Sequence, residues 1–182
     1  MTQSNTTTIR YSSAGTDIGF VLVATINEQI YVVLLDEDEE TSLAALKMLI
    51  AGDYPHAELQ KTPSDHALAL IKDYISAPSN ELYQQLQGLD LLVRGTDFQK
   101  QVWQVLKSIP VGQTLSYREL AQQIGAPAAV RAVANACGAN RHAIIVPCHR
   151  VLRSDGSISG YRWGSVRKKQ LLALESTYKE SP

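Results

Sequence analysis

The first regular pattern along the chain is a pair of apolar, β-branched-rich runs, residues 19–24 and 30–35, separated by Thr25-Ile26-Asn27-Glu28-Gln29. Two such runs around a polar turn predict a β-hairpin. The acidic run from Asp36 to Glu40 suits the start of a helix over 42–51, because negative charge is favoured at a helix N-terminus. Thr62-Pro63-Ser64-Asp65 opens a second helix over 66–76, with proline at an early position. Residues 89–93 predict a further strand that stops at Arg94-Gly95-Thr96. His56 and His66 fall in or beside loops and are expected at the surface.

After residue 94 the period changes to that of helices. Thr96 can cap a helix to about Ile109, with Phe98, Val102, Trp103, Val105 and Leu106 as its apolar stripe and Trp103 in the core. Ser116 caps a helix over 117–124, Gly125 stops it, and Pro127 starts another that runs to about Cys137. Helix, glycine-containing turn and helix make a helix-turn-helix pattern, which many αα-hairpins share. In the second of these helices Ala126, Ala128, Ala129, Ala132, Ala134, Ala136, Gly138 and Ala139 surround one long basic side chain, Arg131. Small side chains let a backbone approach another surface closely. That surface is either the protein's own interior or a narrow DNA groove probed by Arg131. Alanine and glycine offer no base-edge hydrogen bonds, so groove binding would be nearly independent of sequence, with phosphate contacts supplying affinity.

The stretch Ile144-Ile145-Val146-Pro147-Cys148-His149-Arg150-Val151 carries the candidate chemistry. Its apolar run predicts a buried strand that ends at Pro147, which cannot donate to a ladder. A thiol and an imidazole then stand side by side, the pairing that activates a sulfur nucleophile. A turn at Ser154-Asp155-Gly156-Ser157 and an aromatic loop, Ser159-Gly160-Tyr161-Arg162-Trp163-Gly164, lead to a last helix over 165–176. Arg167, Lys168 and Lys169 near its start and Glu175 near its end oppose the helix dipole, which points these charges toward partners.

Composition narrows the class. At 182 residues and 45% hydrophobic, the chain can bury a real core. The expected fold class is α+β: a small acidic N-terminal α/β scaffold domain (1–93), packed on a mostly helical C-terminal domain (94–182) with the helix-turn-helix. No apolar run is long enough to span a bilayer. The first residues lack a basic start and an apolar core, so they read as a short disordered leader and the protein as cytoplasmic. Cys137 and Cys148 are too few for a disulfide framework or a four-cysteine zinc site, and Cys137 is expected to be buried and inert. The net charge of −1 divides into −9 (4 basic, 13 acidic) up to Val93 and +8 (13 basic, 5 acidic) from Arg94 onward. A basic half is a footprint for a polyanion; equally, two oppositely charged domains attract each other, and charge alone leaves both open.

The cysteine stretch, with Asn140 and Arg131-Ala132-Val133 before it, resembles the methylated-DNA–protein-cysteine methyltransferase family (O6-alkylguanine-DNA alkyltransferases). The likeness runs from roughly Ile9 to Glu175. It is strongest to the C-terminal half of the bacterial adaptive-response protein, whose zinc-binding N-terminal half has no counterpart here. The resemblance implies direct reversal of DNA damage, with Cys148 as a single-use acceptor for the methyl group of O6-methylguanine and, secondarily, of O4-methylthymine. It implies that His149 takes the Cys148 proton through a water, that Glu175 holds His149, and that Asn140 braces the turn. Arg131 would fill the gap left in the duplex, with Ala129, Ala132 and Ser116 on the DNA-facing surface. Tyr117 would meet the displaced phosphate and the base edge. Val151, Tyr161, Arg162 and Trp163 would form the base pocket. Some family members carry Ser and Gly where Arg162 and Trp163 stand, so Trp163 should narrow the pocket and disfavour O6-benzylguanine.

The implied partner is alkylated double-stranded DNA, met in the minor groove by a monomer, with no cofactor, no metal and no membrane. Extrusion of the nucleotide is required, because sulfur cannot reach an O6 substituent in line inside a stacked duplex. A thioether, unlike a thioester, is not cleaved by activated water, so such a site acts once. Two other functions use the same residues. A cysteine hydrolase would turn over and would need neither a basic half nor a small-residue helix. A damage sensor or regulator would bind through the helix-turn-helix without transferring the alkyl group.

Overall fold

The computed structural model describes residues 7–178; the expected leader at residues 1–6 lies outside them. Its first layer is a four-stranded sheet of β1 (Thr8–Thr16), β2 (Gly19–Ile26), β3 (Gln29–Asp36) and β4 (Glu58–Lys61), in the order β3-β2-β1-β4. The predicted hairpin is β2–β3. Its strands are longer than their apolar runs because Asn27 and Glu28 alone make the turn, at φ of 48° and 70°. A two-residue hairpin turn with both residues left-handed matches the twist of the strands it joins. β1 and β4 went unpredicted. β1 is mostly polar, with Ile9 and Tyr11 as its buried anchors, and β4 is a short, exposed edge strand running parallel to β1.

The alternation of β2 and β3 divides the core. Leu22, Ala24, Val32 and Leu34 face helix α1 (Glu39–Asp53), whose N-terminus is capped by Asp38. Val21, Val23, Val33 and Leu35 face the rest of the molecule, beginning with α2 (His66–Ser76) and α3 (Asn80–Gln87). Asp65 caps α2, so Pro63 lies before the helix and not within it. α3 was not foreseen, since Tyr83 and Leu86 are its only buried residues. His56 and His66 are exposed.

The remaining helices are α4 (Asp97–Lys107), α5 (Tyr117–Gln123), α6 (Val130–Gly138) and α7 (Ser165–Ser176). Capping boxes at Thr96 and Ser116 start α4 and α5. α6 begins at Val130, three residues later than the proline signal suggests, with no side-chain cap. Trp103 is buried and donates its indole N–H to the Ala136 carbonyl at 2.8 Å, tying α4 to α6. One apolar cluster runs from the inner face of the sheet through α2 and α3 into α4 to α7. The change of charge near residue 94 therefore marks no gap in the core.

Two predicted strands are not strands. Residues 89–93 contribute one bridge, Leu91 to Ile30, and the passage toward Pro147 contributes one, His142 to Val33. Both bridges fall on the free edge of β3, the second of them just before the predicted run at 144–147 begins. Ile30 N–H donates to Asp90 O and Leu92 N–H to Ile30 O, each at 2.8 Å. Val33 N–H donates to Arg141 O at 2.9 Å and Ala143 N–H to Val33 O at 3.0 Å. An edge divided between two short segments is protected from other chains without a full partner strand.

Candidate active site

From Ala143 to Val146 the chain is a series of tight turns, fully buried, and Ile144 adopts a left-handed φ of 69°. That conformation is strained for a β-branched residue. Asn140 holds it in place. Its side-chain oxygen accepts from His142 N–H at 2.8 Å, and its amide donates to Val146 O at 2.8 Å and to Cys148 Sγ at 3.2 Å. Pro147 then leads into a single 3-10 turn, Cys148–Arg150, followed by β6 (Val151–Leu152). β6 pairs in parallel with β5 (Leu115–Ser116), which brings the start of α5 beside the turn.

The turn resolves the difficulty that neighbours on an extended chain point apart. Cys148, His149 and Arg150 are all buried, and all face α7 or the cavity beside it. His149 Nε2 lies 2.8 Å from Glu175 Oε1. A carboxylate only accepts, so Nε2 carries the proton and Nδ1 is left as the base. Nδ1 has no hydrogen-bond partner among the described residues. Arg150 donates from Nε to Glu175 Oε2 at 2.8 Å and from Nη2 to Oε1 at 2.9 Å, and stacks 4.1 Å from the Tyr83 ring centre. Gly112, at φ 78°, lets the turn after α4 pass close to the Glu175 carbonyl; an added Cβ would sit 3.1 Å from it.

Burial sets the resting charges. It pushes the Cys148 thiol up to about 11, against the Asn140 hydrogen bond and the charges of Lys168 and Arg162. The thiol is therefore protonated at neutral pH and needs a base to react. Burial pushes His149 below the ordinary imidazole range, while Glu175 pulls the other way. Burial alone would raise Glu175; His149 and Arg150 override it and hold the carboxyl well below its usual range. The outcome is a neutral imidazole beside a paired, ionised carboxylate, which is the state a proton acceptor requires.

Cys148 lies at a cavity of about 150 Å³. The walls are Tyr117 from α5, Ala134, Cys137 and Gly138 from α6, and Gly160, Tyr161 and Arg162 from the loop. Of the expected base-pocket residues, Tyr161 and Arg162 thus line the cavity, whereas Val151 and Trp163 do not. Val151 is buried and its carbonyl accepts from Lys168 Nζ at 2.6 Å. Trp163 lines a second cavity with Leu34, Asp36, Ala45, Met48, Leu49 and Arg162, and its ring lies 5.2 Å from that of Tyr161, edge to face.

Other placements follow. Tyr117 OH meets Ser159 Oγ at 2.6 Å. Ser116 Oγ is taken up by its capping bond from Glu119 N–H. Arg131, Ala132, Asn135 and Gly138 form the exposed stripe of α6, Ala129 is half-buried at its start, and Gly138 brings the stripe to the cavity wall. The small residues are divided between two surfaces: Ala136 packs inward and Ala132 faces out.

Several site residues were not visible in the sequence. Cys137 has no reactive neighbour along the chain, yet it lines the same cavity as Cys148, with burial holding its thiol far above the ordinary range. Lys168, expected to face a partner, is fully buried and fastens Val151. Tyr74 and Tyr83 reach the site from the N-terminal half. Among the described residues no cluster of His, Cys, Asp and Glu could hold a metal ion, and no helix is long and apolar enough to cross a membrane.

Positions 97–177 match the family model described as 6-O-methylguanine DNA methyltransferase, DNA binding domain. The chain is 45% identical over 172 residues, 94% of its length, to the bifunctional transcriptional activator/DNA repair enzyme Ada of Escherichia coli, of which it covers 47%. It is 46% identical over 136 residues to a methylated-DNA–protein-cysteine methyltransferase of Mycobacterium bovis, covering 74% of this chain and 81% of that protein. A crystal structure of Mycobacterium tuberculosis OGT in complex with DNA aligns with a TM-score of 0.69 at 34% identity, covering 92% of this chain and 93% of that one. The chain thus spans about half the length of the Ada proteins it matches.

Proposed function

The chain belongs to the methylated-DNA–protein-cysteine methyltransferase family, and we propose that it repairs DNA by moving the methyl group of O6-methylguanine irreversibly onto Cys148. The observation that carries this is a protonated thiol at the wall of a small cavity, with the neighbouring imidazole ionically backed and its Nδ1 free. His149 Nδ1 takes the thiol proton through one water. The S–C bond forms as the O6–C bond breaks, and the electron pair leaves with the guanine, which regains a ring proton. O4-methylthymine is a second substrate of the same geometry.

The cavity is small, about 150 Å³, and a sulfur at its wall cannot reach an O6 substituent in line inside a stacked duplex. The target nucleotide is therefore rotated out of the duplex. The exposed Ala132, Asn135 and Gly138 stripe enters the minor groove with little sequence preference, and Arg131 fills the place of the extruded base. The protein acts as a monomer in the cytoplasm on double-stranded DNA. Arg131→Ala should slow transfer from duplex DNA about tenfold or more and leave transfer from the free base O6-methylguanine unchanged.

The test is intact mass after incubation with a duplex bearing one O6-methylguanine. The expected result is a gain of one methyl per protein at saturation, absent in Cys148→Ala. Binding without any gain would overturn the repair proposal in favour of a damage sensor. Repeated turnover of an ester would favour a hydrolase.

A further inference from the structure

Tyr74 lies on α2, in the half of the chain that carries no recognisable chemistry, and its hydroxyl is buried against Glu175. It donates to Glu175 Oε1 at 2.6 Å, the same oxygen that His149 Nε2 meets at 2.8 Å. It accepts in turn from Arg150 Nη2 at 2.9 Å, and Nη2 also reaches Oε1 at 2.9 Å. One carboxylate oxygen thus receives three donors, from α2, from the 3-10 turn's imidazole and from its guanidinium.

Resting on the alkyl-transfer function above, we propose that Tyr74 is a positioning residue for the proton transfer: by sharing Glu175 Oε1 with His149, it keeps the imidazole neutral and correctly oriented to accept the Cys148 proton. A donor on a carboxylate oxygen withdraws charge that would otherwise stabilise an imidazolium. A Glu175 satisfied by His149 and Arg150 alone would grip the imidazole N–H more strongly and raise its proton affinity. The base would then be occupied before the thiol could use it.

The surroundings of His149 leave few other controls. α7 presents Glu175 and Lys168, and the 3-10 turn presents Arg150 and Cys148. The loop presents the Tyr161 ring, 6.5 Å away edge to face. Tyr74 acts through Glu175, and Tyr83 of α3 acts through its stacking on Arg150. Lys168 and Arg150 both disfavour the imidazolium, and Glu175 favours it. Tyr74 is the group that moderates Glu175 from the N-terminal half.

The decisive comparison is Tyr74→Phe against Tyr31→Phe, whose lost hydroxyl is also buried but donates to Asp53 at 2.8 Å, away from Glu175 and Arg150. Two quantities are read on each folded variant: the His149 titration by nitrogen NMR, and the pH profile of single-turnover methyl transfer. Tyr74→Phe should raise the His149 pKa by about half a unit and move the acid limb of the profile up by the same amount, a rate loss of about threefold below it. Tyr31→Phe should lower the melting temperature and move neither. Replacing Tyr74 by 3-fluorotyrosine, a stronger donor of the same shape, should shift the titration the opposite way. This arm decides the matter if the phenylalanine variant folds poorly. An unmoved His149 titration in both Tyr74 variants would overturn the proposal, whatever their stability. Shifted titrations with no methyl transfer by the unaltered protein would support the coupling and overturn the repair function instead.

Discussion

His142 and His149 lie on the same buried passage, both nearly inaccessible and both made less basic by burial, yet they do different things. His142 Nε2 meets the Ile30 carbonyl at 3.2 Å, at the seam where the passage covers the edge of β3. Its neighbours are backbone carbonyls and cations, and burial takes its pKa down to about 4. His149 faces an ionised carboxylate that fixes its tautomer, and its other nitrogen is free. Burial alone makes a histidine a neutral packing element. Burial with a paired carboxylate behind one nitrogen and a thiol in the adjoining cavity suits it to the role of base proposed above.

The largest test of this contrast is in rate. His149→Asn should slow methyl transfer by about 10²–10⁴-fold, the usual worth of a positioned general base. His142→Asn should change it by no more than about threefold, because its neighbours are structural. Single-turnover transfer to a methylated duplex measures both, and equal losses would break the distinction. Glu175→Gln comes next. It keeps the shape and leaves Arg150 as an uncompensated buried charge, so unfolding free energy should fall by about 3–5 kcal/mol, measured by urea denaturation.

The third test is acid stability. Folded His142 titrates near 4, below the ordinary 6.5. Between those values the unfolded chain binds a proton that the folded chain does not, so stability falls as pH drops through that window. The full shift is worth roughly 3 kcal/mol, and His142→Asn should flatten the fall. A denaturation series from about pH 7 to about pH 4.5 checks the slope. The smallest effect is at Asn140, which serves both sides. Asn140→Ala removes its bonds to His142 N–H, Val146 O and Cys148 Sγ. It should cost about 1–3 kcal/mol of stability and slow transfer as the strained turn at Ile144 relaxes.

How far the chain could be read in advance depended on the range of the forces involved. The β2–β3 hairpin, α1, α2, α4, α5, α6 and α7 follow from caps, periodicity and turn residues within a few positions. β1, β4 and α3 did not, because their few buried residues are selected by partners distant in the chain. The apolar run before Cys148 had the composition of a strand. It became turns because Asn140 satisfies backbone groups that a neighbouring strand would otherwise satisfy. Trp163 looked like a pocket wall from its place beside Tyr161, and the tertiary structure sets it on the lining of a second cavity that Leu34 and Leu49 share.

Glu175 behind the imidazole was implied only by the family resemblance; the sequence by itself determined the adjoining thiol and imidazole, the helix-turn-helix pattern and the sign of each half's charge. These are matters of residue type and short spacing, and the chain carries both directly. The tertiary structure decided which groups share Glu175, why the thiol rests protonated, and that Cys137 lines the acceptor's cavity. It also gave the N-terminal half a place in the site, through Tyr74 and Tyr83. Burial, and the charge state it imposes, belongs to the assembled interior, where residues from α2, α3, α6 and α7 meet around one short turn.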